Sequence, residues 1–323
     1  MGTPFNSHPI SRIAYPNRHL LVLVGPTASG KTPISLLIAK HLPVEIISAD
    51  SRQLYKYMPI GTAQPSQEDR DTVPHYFIDV VTPDTDFNAG EFGKQGREII
   101  DDIFSRGKIP LVVGGSGLYI QALIDGFFEG PAADESIREE LYSRLTSEGA
   151  DVLYTELQTV DAVSADTMTS ANTRRLIRAL EVYKLTGIPI STLQQSNIKP
   201  NFSFCLTGLE WERSVLYERI NARVDRMLAD GLLDEVRKLQ ELGYSPELNS
   251  LQTVGYKEAF SHLAGEISYE RMVELIKQNS RRYAKRQMTW FRPDERIRWF
   301  NIEKGKDPNV IAGGIVNYYL GRE

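Results

Sequence analysis

Residues 19–32 read HLLVLVGPTASGKT: an apolar strand, a glycine-bounded turn, then the start of a helix. Gly25, Gly30, Lys31 and Thr32 fit G-x-x-x-x-G-K-[ST], in the strand–turn–helix setting that a phosphate-cradling loop requires. With ordinary residue usage, a chance match in a chain of this length is on the order of one per cent. The glycines let backbone N–H groups converge on phosphate oxygens at the positive end of a helix dipole. Lys31 adds a mobile charge, and the Thr32 hydroxyl can ligate Mg²⁺. The loop says only that a diphosphate or triphosphate is held. A kinase, an ATPase and an enzyme that expels pyrophosphate all want it.

Working outward, Pro33 suits a first helical turn, where its missing N–H costs nothing. The helix PISLLIAKHL ends before Pro43, and a second strand, VEIIS, leads straight to Asp50. HYFIDVV reads as a third strand, and FNAGEFGKQGREIIDDIFSRG as a helix capped by Asn88 and ended by Gly107. IPLVVGGSGLYI is a fourth strand breaking into a glycine turn. Strands alternating with helices at this spacing predict an α/β fold, a P-loop NTPase-like parallel sheet covered on both faces. From 126 to 199 the chain shows helical segments and no convincing strand, which predicts an inserted helical domain. FCLTGLEW then restores a strand, followed by the strongly helical run from Glu212, a last strand in RIRWFNI and a closing helix in VIAGGIVNYYL. The expected organisation is a flexible leader at 1–18, a core of 19–125 and 200–323, and the insertion between.

The 323 residues suit one and a half to two domains, carry a net charge of −5, and hold one cysteine, Cys205. That excludes an internal disulfide and a zinc cluster. No apolar run is long enough to cross a bilayer and none resembles a signal peptide, so a cytoplasmic location is the default. The negative balance argues against indiscriminate nucleic-acid binding. Locally the balance reverses. From Arg271 to Arg298 nine basic residues stand against three acids, a net +6, with Tyr283, Trp290 and Phe291 interleaved. Such a segment suits stacking on unpaired bases while charge tracks the backbone, or a solvated helix face over buried aromatics.

Asp50 follows a strand end, where ligands gather in sheets of this kind, and would lie beside the phosphate loop if their strands are neighbours. Its carboxylate could hold Mg²⁺, accept a proton from a nucleophile, or cap a turn. His75 reads as structural and Cys205 as a small core residue. Arg174, Arg175 and Arg178 fall at helical spacing on one edge of NTRRLIRALEV, open to an ion-paired or an RNA-facing role. Arg223 on its own could be a surface ion pair.

GPTASGKT, IISADSRQLYKYMPIGTAQP, VVGGSGLYI, RRLIRALEV, TVGYKEA and YAKRQMTWFR, in order from about Leu20 to Trp299, together resemble the bacterial tRNA dimethylallyltransferases. Jointly they are far more specific than the loop alone. The resemblance implies transfer of a dimethylallyl group from dimethylallyl diphosphate to N6 of the adenosine beside the tRNA anticodon (position 37), with Mg²⁺ as cofactor. Its partners would be a tRNA anticodon stem-loop and the isoprenoid diphosphate, with no membrane; the protein is expected to be monomeric. Carried over by position, Asp50 is the general base, and Lys31, Thr32 and Arg223 are catalytic. Gly25, Pro26, Thr27, Ala28, Ser29, Gly30, Lys31, Thr32, Ser116 and Arg223 would line the diphosphate site. The tRNA would meet Asp50, Ser51, Arg52, Gln53, Ser116, Arg174, Arg175, Arg178, Lys257, Lys285, Arg286, Gln287, Trp290 and Arg292.

Three positions depart from the family's usual residues: Tyr57 for glycine, Gln64 for lysine and Ser116 for threonine. A relative that prenylates AMP or ADP, a small-molecule kinase using ATP, and an RNA-binding protein that only senses nucleotide are the competing readings. The basic segment with KRQMTWF speaks for tRNA, and Asp50 beside the loop speaks for chemistry.

Overall fold

The computed structural model describes residues 18–126, 130–131, 133–195 and 199–322. The expected leader, apart from Arg18, lies outside them. The chain divides into two compact units, Met1–Ile120 with Asn201–Glu323, and Gln121–Pro200.

In the first unit six strands form one sheet: β1 (His19–Val24), β2 (Val44–Ala49), β3 (His75–Tyr76), β4 (Ile109–Gly114), β5 (Ser203–Trp211) and β6 (Arg298–Ile302). Their order is β3-β2-β4-β1-β5-β6, and every pairing is parallel. Leu20 to Val24 are fully buried, as expected of a central parallel strand covered on both faces. On one face Leu21 and Leu23 of β1 join Ile46 of β2, Leu111 of β4 and Leu209 of β5. That layer packs against Ile34 and Ile38 of the helix Lys31–Ala39 and Ile311 and Ile315 of the helix Pro308–Tyr319. Burying one such side chain is worth about 1.5–3 kcal/mol against leaving it exposed. The loop at 25–32 therefore leaves a sheet buried on both faces.

Two elements differ from the expected pattern. β3 has two residues, because Phe77 at φ 60° and Asp79 at φ 58° leave the extended region. Phe77 turns instead into an aromatic cluster with Phe87 and Phe92, at centroid distances of 6.0 and 4.8 Å. Packing outweighs local β propensity there. The long helical run after Glu212 breaks into Arg213–Ala229 and Leu232–Glu241, with Gly231 at φ 100° between them.

The second unit holds the helices Glu135–Glu148, Ala150–Val160, Ala162–Asp166, Thr173–Thr186 and Ile190–Gln194. Leu141, Leu153, Leu157, Leu176, Ile177 and Leu180 form its core. Within it Glu181 is fully buried. Its carboxylate takes the Arg178 and Arg138 guanidinium groups and the Asp134 N–H, each at 2.9 Å. Those partners hold it ionised, below the usual carboxylate range, against the opposing effect of burial.

Candidate active site

β1 and β2, which deliver the phosphate loop and Asp50, are not neighbours. β4 runs between them, and Val24 and Ala49 both stand opposite Gly114. Because the two strands end at one level, their loops still meet above the sheet. A Cβ on Gly114 would lie 2.1 Å from the Ala49 carbonyl oxygen, so only glycine lets the three strands close up. The next glycines serve the same geometry from another direction. A Cβ on Gly115 would lie 2.1 Å from the Gln287 side-chain nitrogen, and one on Gly117 2.1 Å from the Trp290 ring. VVGGSGLYI and KRQMTWF are thus two halves of one contact.

The loop lines a cavity of about 420 Å³ together with Lys31, Thr32, Asp50, Gln53, Arg219, Arg223, Arg226, Tyr283 and Gln287. Among the described residues, Lys31, Arg219, Arg223 and Arg226, the Asp50 carboxylate and the His75 imidazole face this space. Lys31 Nζ donates to the carbonyls of Gly25 and Pro26, each at 2.9 Å. Burial pulls its ammonium down to about 8, the Asp50 carboxylate opposing and Arg223 adding to the fall. Burial also lowers Arg223, again against the pull of Asp50. The Ser29 hydroxyl is buried without a hydrogen-bond partner, a polar group left unmet inside the loop. Ala28 sits at φ 62°, the kind of backbone strain found at ligand clamps.

Neighbouring elements hold the loop from outside. The Thr27 N–H donates to Gln287 Oε1 at 2.8 Å, and Gln287 Nε2 donates to the Gly115 carbonyl at 3.0 Å. Trp211 Nε1 donates to the Ser29 carbonyl at 2.8 Å, and Arg219 Nε to that of Ala28 at 2.9 Å. The Arg219 guanidinium lies over the Trp211 ring, 4.3 Å from its centroid, and a Cβ on Gly30 would be 3.6 Å from its Nη2. That places a stacked guanidinium at the start of the helix Lys31–Ala39, where a helix end favours negative charge.

Asp50 Oδ1 accepts the Arg52 N–H at 2.9 Å and is 3.4 Å from the Gln53 N. Through that oxygen it caps its own turn. The Ser51 N–H donates to Ser116 Oγ at 3.0 Å. Gln53 Nε2 donates to the carbonyls of Thr62 (3.2 Å) and Ala63 (2.9 Å), and Ser48 Oγ donates to Gln53 Oε1 at 3.0 Å. Gln64 Nε2 donates to the carbonyls of Gln53 (2.9 Å) and Tyr55 (3.1 Å), so the neutral residue is used to fix this loop. Tyr57 takes φ 66° and meets Tyr244 at a centroid distance of 6.2 Å.

A second cavity, about 280 Å³, is lined by apolar Ile220, Val224, Met227 and Val254 and by polar Ser51 and Arg286. Thr27, Asp50, Arg223 and Tyr283 line both spaces. Burial, the Asp50 carboxylate close behind it, pushes the Tyr283 phenol up to about 12, while its bond to Ser116 opposes the shift.

The residues expected at an RNA face separate into three groups. Lys257, Lys285, Arg286 and Arg174 are exposed, and Trp290 is half exposed although its ring covers Gly117. Arg52, Arg175 and Arg292 have protein partners, the Asn249 carbonyl, the Thr167 hydroxyl and Glu210. Gln287 and Arg178 are the most fully engaged within the protein. Gln287 is buried with both ends of its amide used on the phosphate loop and Gly115, and Arg178 is committed to Glu181 and the Pro131 carbonyl (2.9 Å). Arg219, Arg226 and Tyr283 enter the site without having been singled out for it. Arg219 and Arg226 share the Arg223 face of one helix at three- and four-residue spacing, a signal present in the sequence. His75 Nδ1 meets the Val73 carbonyl at 2.7 Å, and the residue also lines the first cavity; Cys205 is buried.

Among the described residues no helix is long and apolar enough to cross a membrane. A family model described as IPP transferase matches residues 53–294, and one described as isopentenyl transferase matches residues 18–86. A tRNA dimethylallyltransferase of Pelotomaculum thermopropionicum is 48% identical over 295 residues, 91% of this chain and 94% of its own length. One from Acetivibrio thermocellus is 45% identical over 94% of this chain and 97% of its own. The solved tRNA isopentenylpyrophosphate transferase of Bacillus halodurans superposes with a TM-score of 0.68 at 40% identity, covering 94% of this chain and 98% of that one. A eukaryotic dimethylallyltransferase, solved acting on tRNA, gives a TM-score of 0.81 at 29% identity, covering 95% and 80%.

Proposed function

The chain belongs to the IPP transferase family, and from that premise we propose that it is a tRNA dimethylallyltransferase. It moves a dimethylallyl group from dimethylallyl diphosphate to N6 of the adenosine beside the anticodon, position 37, and releases pyrophosphate. The observation that carries this reading is the placement of Asp50. It lines both the cationic phosphate cavity and the second, more apolar one.

The adenine amino nitrogen is a weak nucleophile because its lone pair is delocalised into the ring. As its bond to the allylic carbon forms, Asp50 accepts the amino proton, help worth roughly 10²–10⁴ in rate. The carbon–oxygen bond breaks and its electron pair leaves with pyrophosphate. Lys31 and Arg223, with Arg219 and Arg226 beside them, meet the charge that develops there. The unpartnered Ser29 hydroxyl gains a phosphate oxygen as acceptor. Tyr283, at the boundary of the two spaces, helps keep water from a cation-like allylic centre.

Mg²⁺ fits the residues present, since the Thr32 hydroxyl and the Asp50 carboxylate, both hard oxygen donors, line the same cavity. No cluster of three metal-binding side chains stands among the described residues. Thr32 would hold the ion through its hydroxyl. When bound, it neutralises charge on the departing pyrophosphate. Exposed Lys257, Lys285, Arg286 and Trp290 would face the anticodon stem-loop.

The test is incubation with Mg²⁺ and dimethylallyl diphosphate, offering unmodified tRNA, AMP or ADP, followed by mass spectrometry. One prenyl group gained on tRNA alone is the expected result. Prenylated AMP or ADP would transfer the reading to nucleotide prenylation, and a phosphorylated acceptor formed from ATP would overturn it.

A further inference from the structure

Behind the Asp50 turn lies a buried carboxylate that the mechanism does not use. Glu235, on the helix Leu232–Glu241, is 8% exposed. Its Oε2 accepts the Ile60 N–H at 2.7 Å, and its Oε1 accepts the Gly61 N–H at 2.9 Å and the Tyr256 hydroxyl at 2.5 Å. The segment it holds, the short helix Pro59–Thr62, has no side-chain cap of its own. Tyr256 is fully buried, and its ring lies so close to Gly61 that a Cβ there would be 2.5 Å from it. The opposite end of that short helix faces the site. Its Thr62 carbonyl accepts from Gln53 Nε2 and is 3.5 Å from Arg223 Nη2, and the Ala63 carbonyl accepts from Gln53. Gln53 closes the turn that Asp50 caps.

We propose that Glu235 and Tyr256, which line neither cavity, are positioning residues for the transfer reaction. Together they clamp Pro59–Thr62, so that its terminal carbonyls set where Gln53, Asp50 and Arg223 stand. A displacement of about 1 Å between reacting groups can cost on the order of a hundredfold in rate. The proposal rests on Asp50 and Arg223 acting as described above.

Tyr256→Phe removes the hydroxyl and leaves the ring against Gly61, so packing is kept. Glu235→Gln keeps one acceptor and loses the charge. Single-turnover prenyl transfer at saturating substrates should fall about tenfold in each variant, with the Kd for tRNA unchanged. Since both act through one clamp, the double variant should be no slower than the slower single variant. Unchanged rates, losses that multiply, or losses that follow tRNA affinity would overturn the proposal. If Glu235→Gln does not fold, Tyr256→Phe alone decides, on its rate and its tRNA affinity. Hydrogen exchange supplies a readout independent of activity. Tyr256→Phe should speed exchange at Ile60 and Gly61 and also at Arg52 and Gln53, whose N–H groups face Asp50. Protection unchanged at Arg52 and Gln53 would refute the link to Asp50. Wild-type protein that prenylates no tRNA would overturn the proposed function, while this exchange test would still judge the clamp.

Discussion

Val24 and Ala49 end at one level of the sheet, each opposite Gly114 of the strand that separates them. Their following loops, one carrying Lys31 and the other Asp50, open on the same cavity because of that shared level. Gly114→Ala would put a Cβ 2.1 Å from the Ala49 carbonyl oxygen and 2.7 Å from its Cβ. The strands must part, at a cost of about 1–3 kcal/mol, and Asp50 moves with β2. Chemical denaturation should show that loss together with slower prenyl transfer. An unchanged midpoint would mean the sheet yields there without strain.

Asp50 has two tasks that substitution can separate. Asp50→Asn keeps an oxygen for the Arg52 N–H but cannot accept a proton at neutral pH. It should retain stability and tRNA binding while turnover falls by roughly 10²–10⁴. Asp50→Ala should show the same kinetic loss plus about 1 kcal/mol of stability, because its turn loses a cap. Near-normal turnover in the Asn variant would remove Asp50 as the base.

Much of this site could be read from residue order. The strand–turn–helix setting of GPTASGKT identified the phosphate loop, and the alternation of strands and helices gave the parallel sheet. Asp50 at a strand end was legible too, but not its distance from the loop, since strand order is set by crossovers no local pattern encodes. Gln287 and Arg178 show the other limit. A polar residue inside a basic segment does not reveal its partners within the protein, and these two have them. β3 failed for the same reason: the cluster drawing in Phe77 is tertiary.

Lys31 ties phosphate binding to pH. Burial holds its ammonium at about 8 in the folded protein, against roughly 10.4 in an unfolded chain. Between those values the unfolded chain binds more protons, so this residue makes stability rise with pH from about 8 to about 10. Diphosphate affinity runs oppositely. It should weaken as pH passes about 8 and the ammonium is lost. Titration calorimetry near pH 8 in buffers of different ionisation enthalpy should reveal proton uptake on diphosphate binding, since the ligand restores the charge. Lys31→Met should bind more weakly and show no such uptake; uptake equal to wild type would assign the proton elsewhere.

Adjacent residues on the helix Tyr269–Phe291 should respond to substitution in opposite ways. Lys285 and Arg286 are exposed, whereas Gln287 points inward to Thr27 and Gly115. Replacing Lys285 and Arg286 together by Ala should weaken tRNA binding. It should also reduce the slope of log affinity against log salt by about 1–2, as fewer counterions are released. Gln287→Leu should leave that slope unchanged, because no phosphate contact is lost. It strands the Thr27 N–H and the Gly115 carbonyl, each an unmet polar group worth about 1–3 kcal/mol if buried, so diphosphate affinity and stability should fall instead. Filter binding of tRNA across a salt series, beside calorimetry of pyrophosphate, separates the two. A reduced slope in Gln287→Leu would turn that side chain outward to RNA, and an unchanged slope in the double variant would take Lys285 and Arg286 off the RNA face.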